Sequence, residues 1–101
     1  MDERQFQFEW DAAKATSNLH KHRISFELAC TIFDDPRILT VADLTHSQTE
    51  ERWYSVGGAF NGVMLAVVYV WSEISPSLTK IRIISARRAT QTEISQYLES
   101  L

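Results

Sequence analysis

Four arginines, Arg52, Arg82, Arg87 and Arg88, together with His46 and Glu50, are the side chains of this sequence whose types suit a recognisable reaction. A guanidinium stays protonated at working pH, and its planar fork donates two parallel bonds, which suits it to a phosphate that gains charge. A histidine or a carboxylate can carry protons. Cutting an RNA chain needs little more. The 2′-hydroxyl attacks the adjacent phosphorus, and the protein has to orient it, help its proton leave, stabilise the phosphorane and assist the departing oxygen. That chemistry requires no metal and no other cofactor. On spacing alone, the same arginines could equally serve as structural partners for some of the 13 acidic residues.

Other chemistries lack their residues. His20, His22, His46 and Cys30 are metal-ligand types, but His20 and His22 lie two apart at a predicted helix end and point in different directions, and there is no paired-cysteine motif. No serine sits in a Gly-x-Ser-x-Gly elbow. Gly57-Gly58 is not followed by the Lys-Ser/Thr of a phosphate-cradling loop. Cys30, the single cysteine, has Leu28, Ala29 and Ile32 around it and reads as a small buried hydrophobe in a reducing compartment.

The elements that must position these residues belong to one domain, 1–101, since 101 residues at 45% hydrophobic composition suit one compact core. The longest apolar stretch, Val63 to Trp71, is less than half a bilayer span, and no apolar run follows a basic start, so a cytoplasmic protein with no membrane segment is expected. The net charge of −3 argues against a broad grip on nucleic acid. That average hides an asymmetry. Residues 1–79 hold six Lys/Arg against eleven Asp/Glu, whereas residues 80–101 hold four against two, with Lys80, Arg82, Arg87 and Arg88 all preceding the first acid. The cluster is either a local RNA-contacting face or a solvated strand edge and helix entry.

Phe6, Phe8 and Trp10 alternate with Gln7 and Glu9, the pattern of a half-buried strand. Asp11 then caps a short helix with Ala12, Ala15 and Leu19 inward and Lys14, Asn18 and Lys21 on the polar face. Ser25 caps a second helix carrying Phe26, Ala29, Ile32 and Phe33, with Ile24 and Ala29 as its staple; Asp34-Asp35-Pro36 stops it. A strand over Ile38 to Val41 leads into a polar loop from Asp43 to Glu51. Strands over Arg52 to Ala59 and Val63 to Trp71 flank Asn61-Gly62, a pair able to supply the positive φ angles of a tight hairpin. The second of these strands does not alternate, as expected of a central strand covered on both faces. After a Ser/Pro-rich loop from Ser72 to Thr79, a last strand runs from Lys80 to Ala86. Thr90 and Glu93 form a capping box for a terminal helix with Ile94, Tyr97, Leu98 and Leu101 inward. The order β-α-α-β-β-β-β-α predicts an α+β fold, with an antiparallel sheet, two N-terminal helices and one C-terminal helix. Trp10, Trp53 and Trp71 sit in apolar strand patterns and read as core or interface residues.

Three motifs carry a resemblance. Phe8-Glu-Trp-Asp11 with Lys14, Asn18, Lys21-His22 and Ile24-Ser-Phe-Glu27-Leu-Ala29 resembles the N-terminal motif of BrnT-type toxins. His46-Ser-Gln-Thr-Glu-Glu-Arg52-Trp with Gly57 resembles their middle motif, and Ile81-Arg-Ile-Ile-Ser-Ala-Arg-Arg-Ala-Thr90 with Glu93 their closing one. The resemblance implies a RelE-like fold, RNA cleavage that blocks translation, and a BrnA-type antitoxin with a ribbon-helix-helix domain, through which alone operator DNA is contacted and the operon repressed. Carried over by position, Arg87 and Arg88 would stabilise the phosphate, with Arg52 supporting and His46 or Glu50 handling protons. Arg82, Lys80, Lys21 and His22 are the candidate RNA contacts, although the helical pair could equally belong to a solvated face. Arg87 and Arg88 are adjacent on a strand, so only one is expected at the scissile phosphate. Two features depart from the family. Arg23 stands where glycine is usual after Lys-His, at a helix end that prefers positive φ, and the chain is more acidic than an RNA-seeking toxin should be. The acidity keeps a second function class open: a non-catalytic co-repressor that only stabilises a DNA-bound antitoxin.

Overall fold

In a computed structural model of the protein, residues 5–42 and 52–100 are described. Five strands among them, β1 (Gln5–Trp10), β2 (Leu39–Ala42), β3 (Arg52–Gly58), β4 (Met64–Ser75) and β5 (Leu78–Arg88), form one sheet in the order β1-β5-β4-β3-β2. Helices α1 (Ala12–His22), α2 (Phe26–Cys30) and α3 (Gln91–Glu99), with a 3₁₀ turn over Thr31–Asp34, complete an α+β fold in the expected element order.

The sheet is mixed where an antiparallel one was expected. β2 to β5 form an antiparallel meander, but β1 joins the outer edge of β5 in parallel, from Gln5 opposite Leu78 to Trp10 opposite Ile83. Aromatic packing accounts for the choice of edge: Phe8 meets Phe33 at 5.5 Å between centroids, Phe6 meets Trp71 at 6.0 Å, and Trp10 stands edge-on to Phe26 at 5.9 Å. α1 and α2 then carry the chain across one face to β2 at the far edge. On that face Phe26, Ala29 and Ile32 pack against Leu65, Val67, Tyr69, Ile81, Ile83 and Ala86 to form the core. α3 packs against β3 and covers one end of the other face, over the buried Val56 and Ala66. No residue of α3 is fully buried, and Leu98 is 57% exposed, so Leu98 does not belong to an inward stripe.

The predicted caps form: the Asp11 carboxylate accepts the Lys14 N–H at 3.1 Å, the Ser25 hydroxyl accepts that of Leu28 at 3.0 Å, and Thr90 and Glu93 make a capping box. Turns and helix faces depart from expectation. Only Gly62 (φ 87°) has positive φ in the β3–β4 hairpin. The Gly62 N–H donates to the Ala59 carbonyl, so the loop is a three-residue turn closed by a left-handed glycine rather than a two-residue Asn-Gly turn. The expected long loop after Trp71 is a two-residue turn, Pro76-Ser77, because β4 and β5 pair out to Ser75 and Leu78. Trp71, near that end, is 37% exposed, so β4 is not covered along its whole length.

α1 is rotated from its predicted setting: Leu19 is 47% exposed and the buried residue is Asn18. β1 stops at Trp10, opposite Ile83, which leaves the last part of β5 without a strand neighbour on that side. Asn18 takes that place. Its Oδ1 accepts the Ala86 N–H at 3.1 Å, and its Nδ2 donates to the carbonyls of Ala86 at 2.8 Å and Ile24 at 3.0 Å. A carboxamide offers one donor and one acceptor side by side, the same pair that a strand residue would present.

Arg23 ends α1 at φ 61°, a left-handed conformation that costs a non-glycine residue about 1 kcal/mol. Arg23→Gly should therefore stabilise the fold by about 1 kcal/mol, raising Tm by roughly 4–8 °C. Asn18→Leu keeps the branched outline but strands three backbone groups, and should cost about 3 kcal/mol. Thermal and urea unfolding of the two variants test both signs, and a neutral Asn18→Leu would refute the clamp.

Candidate functional site

Residues that face one another across strands share a side of the sheet. Arg52, Val70 and Arg82 lie opposite one another on β3, β4 and β5, on the face turned away from α1 and α2. The two arginines are therefore two strand spacings apart, about 10 Å at their Cα atoms, with Val70 between them. The next row on this face is Tyr54, Val68 and Ser85, and the one after is Val56, Ala66 and Arg87. Arg87 thus stands about 13 Å along the sheet from Arg82, at the edge of the part covered by α3.

Arg82 and Arg87 are five positions apart and would face opposite sides of a regular strand. A register shift between Val68 and Tyr69 leaves Ile84 without a partner, and this bulge restores Arg87 to the Arg82 face. The same step puts Arg88, opposite Leu65, on the other face, so the two adjacent arginines diverge as alternation predicts. Ala86, which Asn18 clamps, lies between the bulge and Arg87.

Arg87 is held by an acid. Its Nη1 and Nη2 donate to Oε1 and Oε2 of Glu93 at 2.8 and 2.9 Å, and Nη1 also donates to the Arg88 carbonyl at 3.2 Å. The pairing with Arg87, then the Thr90 N–H bond and after it the Coulombic pull of Arg87, hold the Glu93 carboxyl below its usual range despite a burial penalty; the bonds from Glu93 push the Arg87 guanidinium upward. Six residues separate the pair in sequence, and the capping-box position of Glu93 was the one signal that could have found it.

The remaining predicted contacts divide. Arg82 is exposed and bonded to no acid among the described residues. Lys80 is tied to Glu9 at 3.1 Å. Lys21 and His22 line a cleft of about 200 Å³ with Lys14, Ser17, Asn18, Ile84 and Ser85, which opens α1 onto the Ser85 position between Arg82 and Arg87. Lys14, which the sequence places on the same polar helix face, and Ser85, which it does not single out, complete this rim. His46 and Glu50 lie outside the described residues. Among the described residues, no three His, Cys, Asp or Glu side chains cluster as a metal site. Burial, with the nearby Glu27 charge, pushes the Cys30 thiol up to about 11, which suits an inert thiol.

The covered end of the face is closed by polar ties. Asp35 Oδ2 accepts the Gly58 N–H and the Tyr97 hydroxyl, each at 2.8 Å, while Oδ1 accepts the Arg37 N–H at 2.9 Å. Gly57 packs closely beside it: a Cβ there would sit 3.2 Å from the Ile32 Cβ, a tight contact that Ile32 would have to relieve. Desolvation works to raise the Asp35 carboxyl, but the Gly58, Arg37 and Tyr97 bonds and the Arg37 charge outweigh it, and the group titrates below the ordinary range.

The chain resembles a known family in sequence and a solved structure in fold. Residues 10–93 match the family described as "Ribonuclease toxin, BrnT, of type II toxin-antitoxin system". No curated protein is significantly similar in sequence. Among solved structures, the ribonuclease toxin BrnT of Brucella abortus superposes with a TM-score of 0.53 at 21% identity, covering 86% of this chain and 100% of that one. At that identity the superposition speaks for the fold.

Both Asp35 and Glu93 have depressed folded-state pKa values. Their contribution to stability is fully present above the unfolded carboxylate range, about pH 4–4.5, and is lost as pH falls through their lower folded values. Thermal unfolding between pH 7 and 2.5 should show Tm falling below about pH 4, and less steeply for Asp35→Asn/Glu93→Gln. Parallel curves for the two proteins would show that these carboxyls carry no acid sensitivity.

Proposed function

The chain belongs to the BrnT family of ribonuclease toxins of type II toxin–antitoxin systems, and on that premise we propose that it cleaves RNA on the open sheet face bounded by Arg52, Arg82 and Arg87. The observation that carries this reading is the placement of three arginines from β3 and β5 on one sheet face, beside a cleft lined by Lys14, Lys21 and His22. Arg82 and the α1 cations hold the backbone, while Val68, Val70 and Tyr54 supply a half-buried floor for sugar or base. Arg87 meets the phosphate as charge grows on it, with Arg52 supporting. The 2′-oxygen forms a bond to phosphorus, the P–O5′ bond breaks, and a 2′,3′-cyclic phosphate and a 5′-hydroxyl result. The proton of the 2′-hydroxyl passes to a base, and the departing 5′-oxygen gains one. On sequence grounds His46 and Glu50 are assigned those transfers. Arg88, on the opposite face, is assigned no role at the phosphate.

Membership of a type II system implies an antitoxin, and a BrnA-type ribbon-helix-helix protein masking this face is the partner that the reading requires. Translation arrest and autorepression through that complex complete the proposed biology. The charge balance of −3 favours the rival reading, a co-repressor without activity, and one assay separates them.

A purified chain should cut a mixed-sequence oligoribonucleotide and leave the matching DNA and the 2′-O-methyl strand intact. Arg87→Ala should lower kcat/KM by about 10²–10³, and Arg82→Ala should act mainly through KM, with a defect that shrinks as salt is added and a shallower salt dependence than wild type. RNA left whole by the folded wild-type protein would favour the co-repressor.

A further inference from the structure

An arginine already paired to a carboxylate does not look like a phosphate ligand, yet the way Arg87 is paired leaves one edge available. A guanidinium presents five N–H bonds. Glu93 takes one from Nη1 and one from Nη2, end-on, and the Arg88 carbonyl takes the other on Nη1. What remains is the Nε–H and the second Nη2–H, which lie parallel on one side of the plane and form a second fork of the type that grips a carboxylate or phosphate. The Arg87 side chain is 43% exposed while Glu93 is 12% exposed, so the acid lies behind the arginine and the arginine faces out.

Glu93 is itself fixed. Its Oε1 also accepts the Thr90 N–H at 2.8 Å, and its own N–H donates to the Thr90 hydroxyl at 3.2 Å, which makes it the N3 residue of the α3 capping box. A long flexible cation is thereby anchored to a helix start. Resting on the ribonuclease reading, we propose that Glu93 is a positioning residue for cleavage: it holds Arg87 so that the Nε–Nη2 edge meets the scissile phosphodiester.

A kinetic consequence follows from the charges. The Arg87–Glu93 pair is neutral as a unit, so it draws RNA in from a distance far less than the unpaired Arg82 does. Its effect is short-ranged and directional and appears when charge develops on the phosphorane. Loss of the positioning should therefore lower kcat and spare KM, the reverse of the pattern expected at Arg82.

Glu93→Gln tests this without removing the helix cap, because glutamine also serves at N3 of a capping box. Its carboxamide oxygen can still accept, but its NH₂ confronts an Arg87 donor and turns the guanidinium off its edge. In single-turnover cleavage of a labelled mixed-sequence oligoribonucleotide, Glu93→Gln should lower kcat on the order of tenfold to a hundredfold, with KM within about twofold and Tm within a few degrees of wild type. Millimolar guanidinium should partly restore Arg87→Ala, docking on Glu93, and should fail to restore Arg87→Ala/Glu93→Gln. Wild-type cleavage by Glu93→Gln, or equal rescue of single and double variants, overturns the positioning role, as does an activity loss that merely tracks loss of folded protein. Full cleavage by Arg87→Ala would instead sink the assignment of Arg87 to the phosphate, a separate failure.

Discussion

The arrangement of the open face depends on one side-chain amide replacing a strand. β5 outlasts β1 by five residues, and on that side its final stretch would present unpaired backbone groups. Asn18 meets the Ala86 N–H and carbonyl together and passes its remaining donor to Ile24, at the turn after α1. Three consequences follow from this contact. α1 is fixed in rotation, with a carboxamide rather than an apolar stripe toward the sheet; the irregular part of β5 is pinned just after its bulge; and Lys14, Lys21 and His22 are brought beside Ser85. The bulge decides which of two neighbouring arginines shares a face with Arg82. A β-bulge at this position re-aims a side chain in the manner such irregularities commonly do near sites.

The C-terminal helix is attached differently from the others. α2 is anchored by Phe26 and Ala29, both fully buried, whereas no residue of α3 is buried. Its position rests on directional polar contacts at its two ends: Glu93 with Arg87 near the start and Tyr97 with Asp35 toward the finish. Polar ties are modest in net energy but exacting in geometry. An element held this way contributes little to the core and a good deal to the exact placement of the side chains it touches. Asp35 extends the same logic to β3, since one oxygen serves both the Gly58 N–H and the Tyr97 hydroxyl.

The sequence was informative where one local rule decides the outcome. Asp11, Ser25 and the Thr90/Glu93 box mark helix starts through short-range bonds, and alternation at Phe6, Phe8 and Trp10 marks a strand. Family membership was legible for the same reason, because ordered motifs survive without knowledge of contacts. The edge that β1 joins was not, since parallel addition to β5 is selected by Phe33, Trp71 and Phe26, which lie far away in sequence. Nor was the burial of Asn18: a polar residue among Lys14 and Lys21 reads as solvated until the vacant edge of β5 is known. The bulge at Ile84 has no compositional mark, so the face occupied by Arg87 could not be derived by counting. Arg23 is the converse case, in which the expected strain at a left-handed cap is found at φ 61°.

Acidity and the proposed RNA contact are compatible because the charges are distributed by range. Beyond a Debye length, about 8–10 Å at ordinary salt, charge interactions are largely screened, so a net charge of −3 opposes the encounter with a polyanion only weakly. Within that distance only the local set matters. On the described part of this face and its rim, Glu9 and Glu93 each engage one cation, Lys80 and Arg87. Arg82, although Glu9 stands opposite it on β1, and Lys14, Lys21 and His22 along the cleft are bonded to no acid among the described residues. A ribonuclease built this way gives up rapid long-range capture and relies on a few oriented donors at contact.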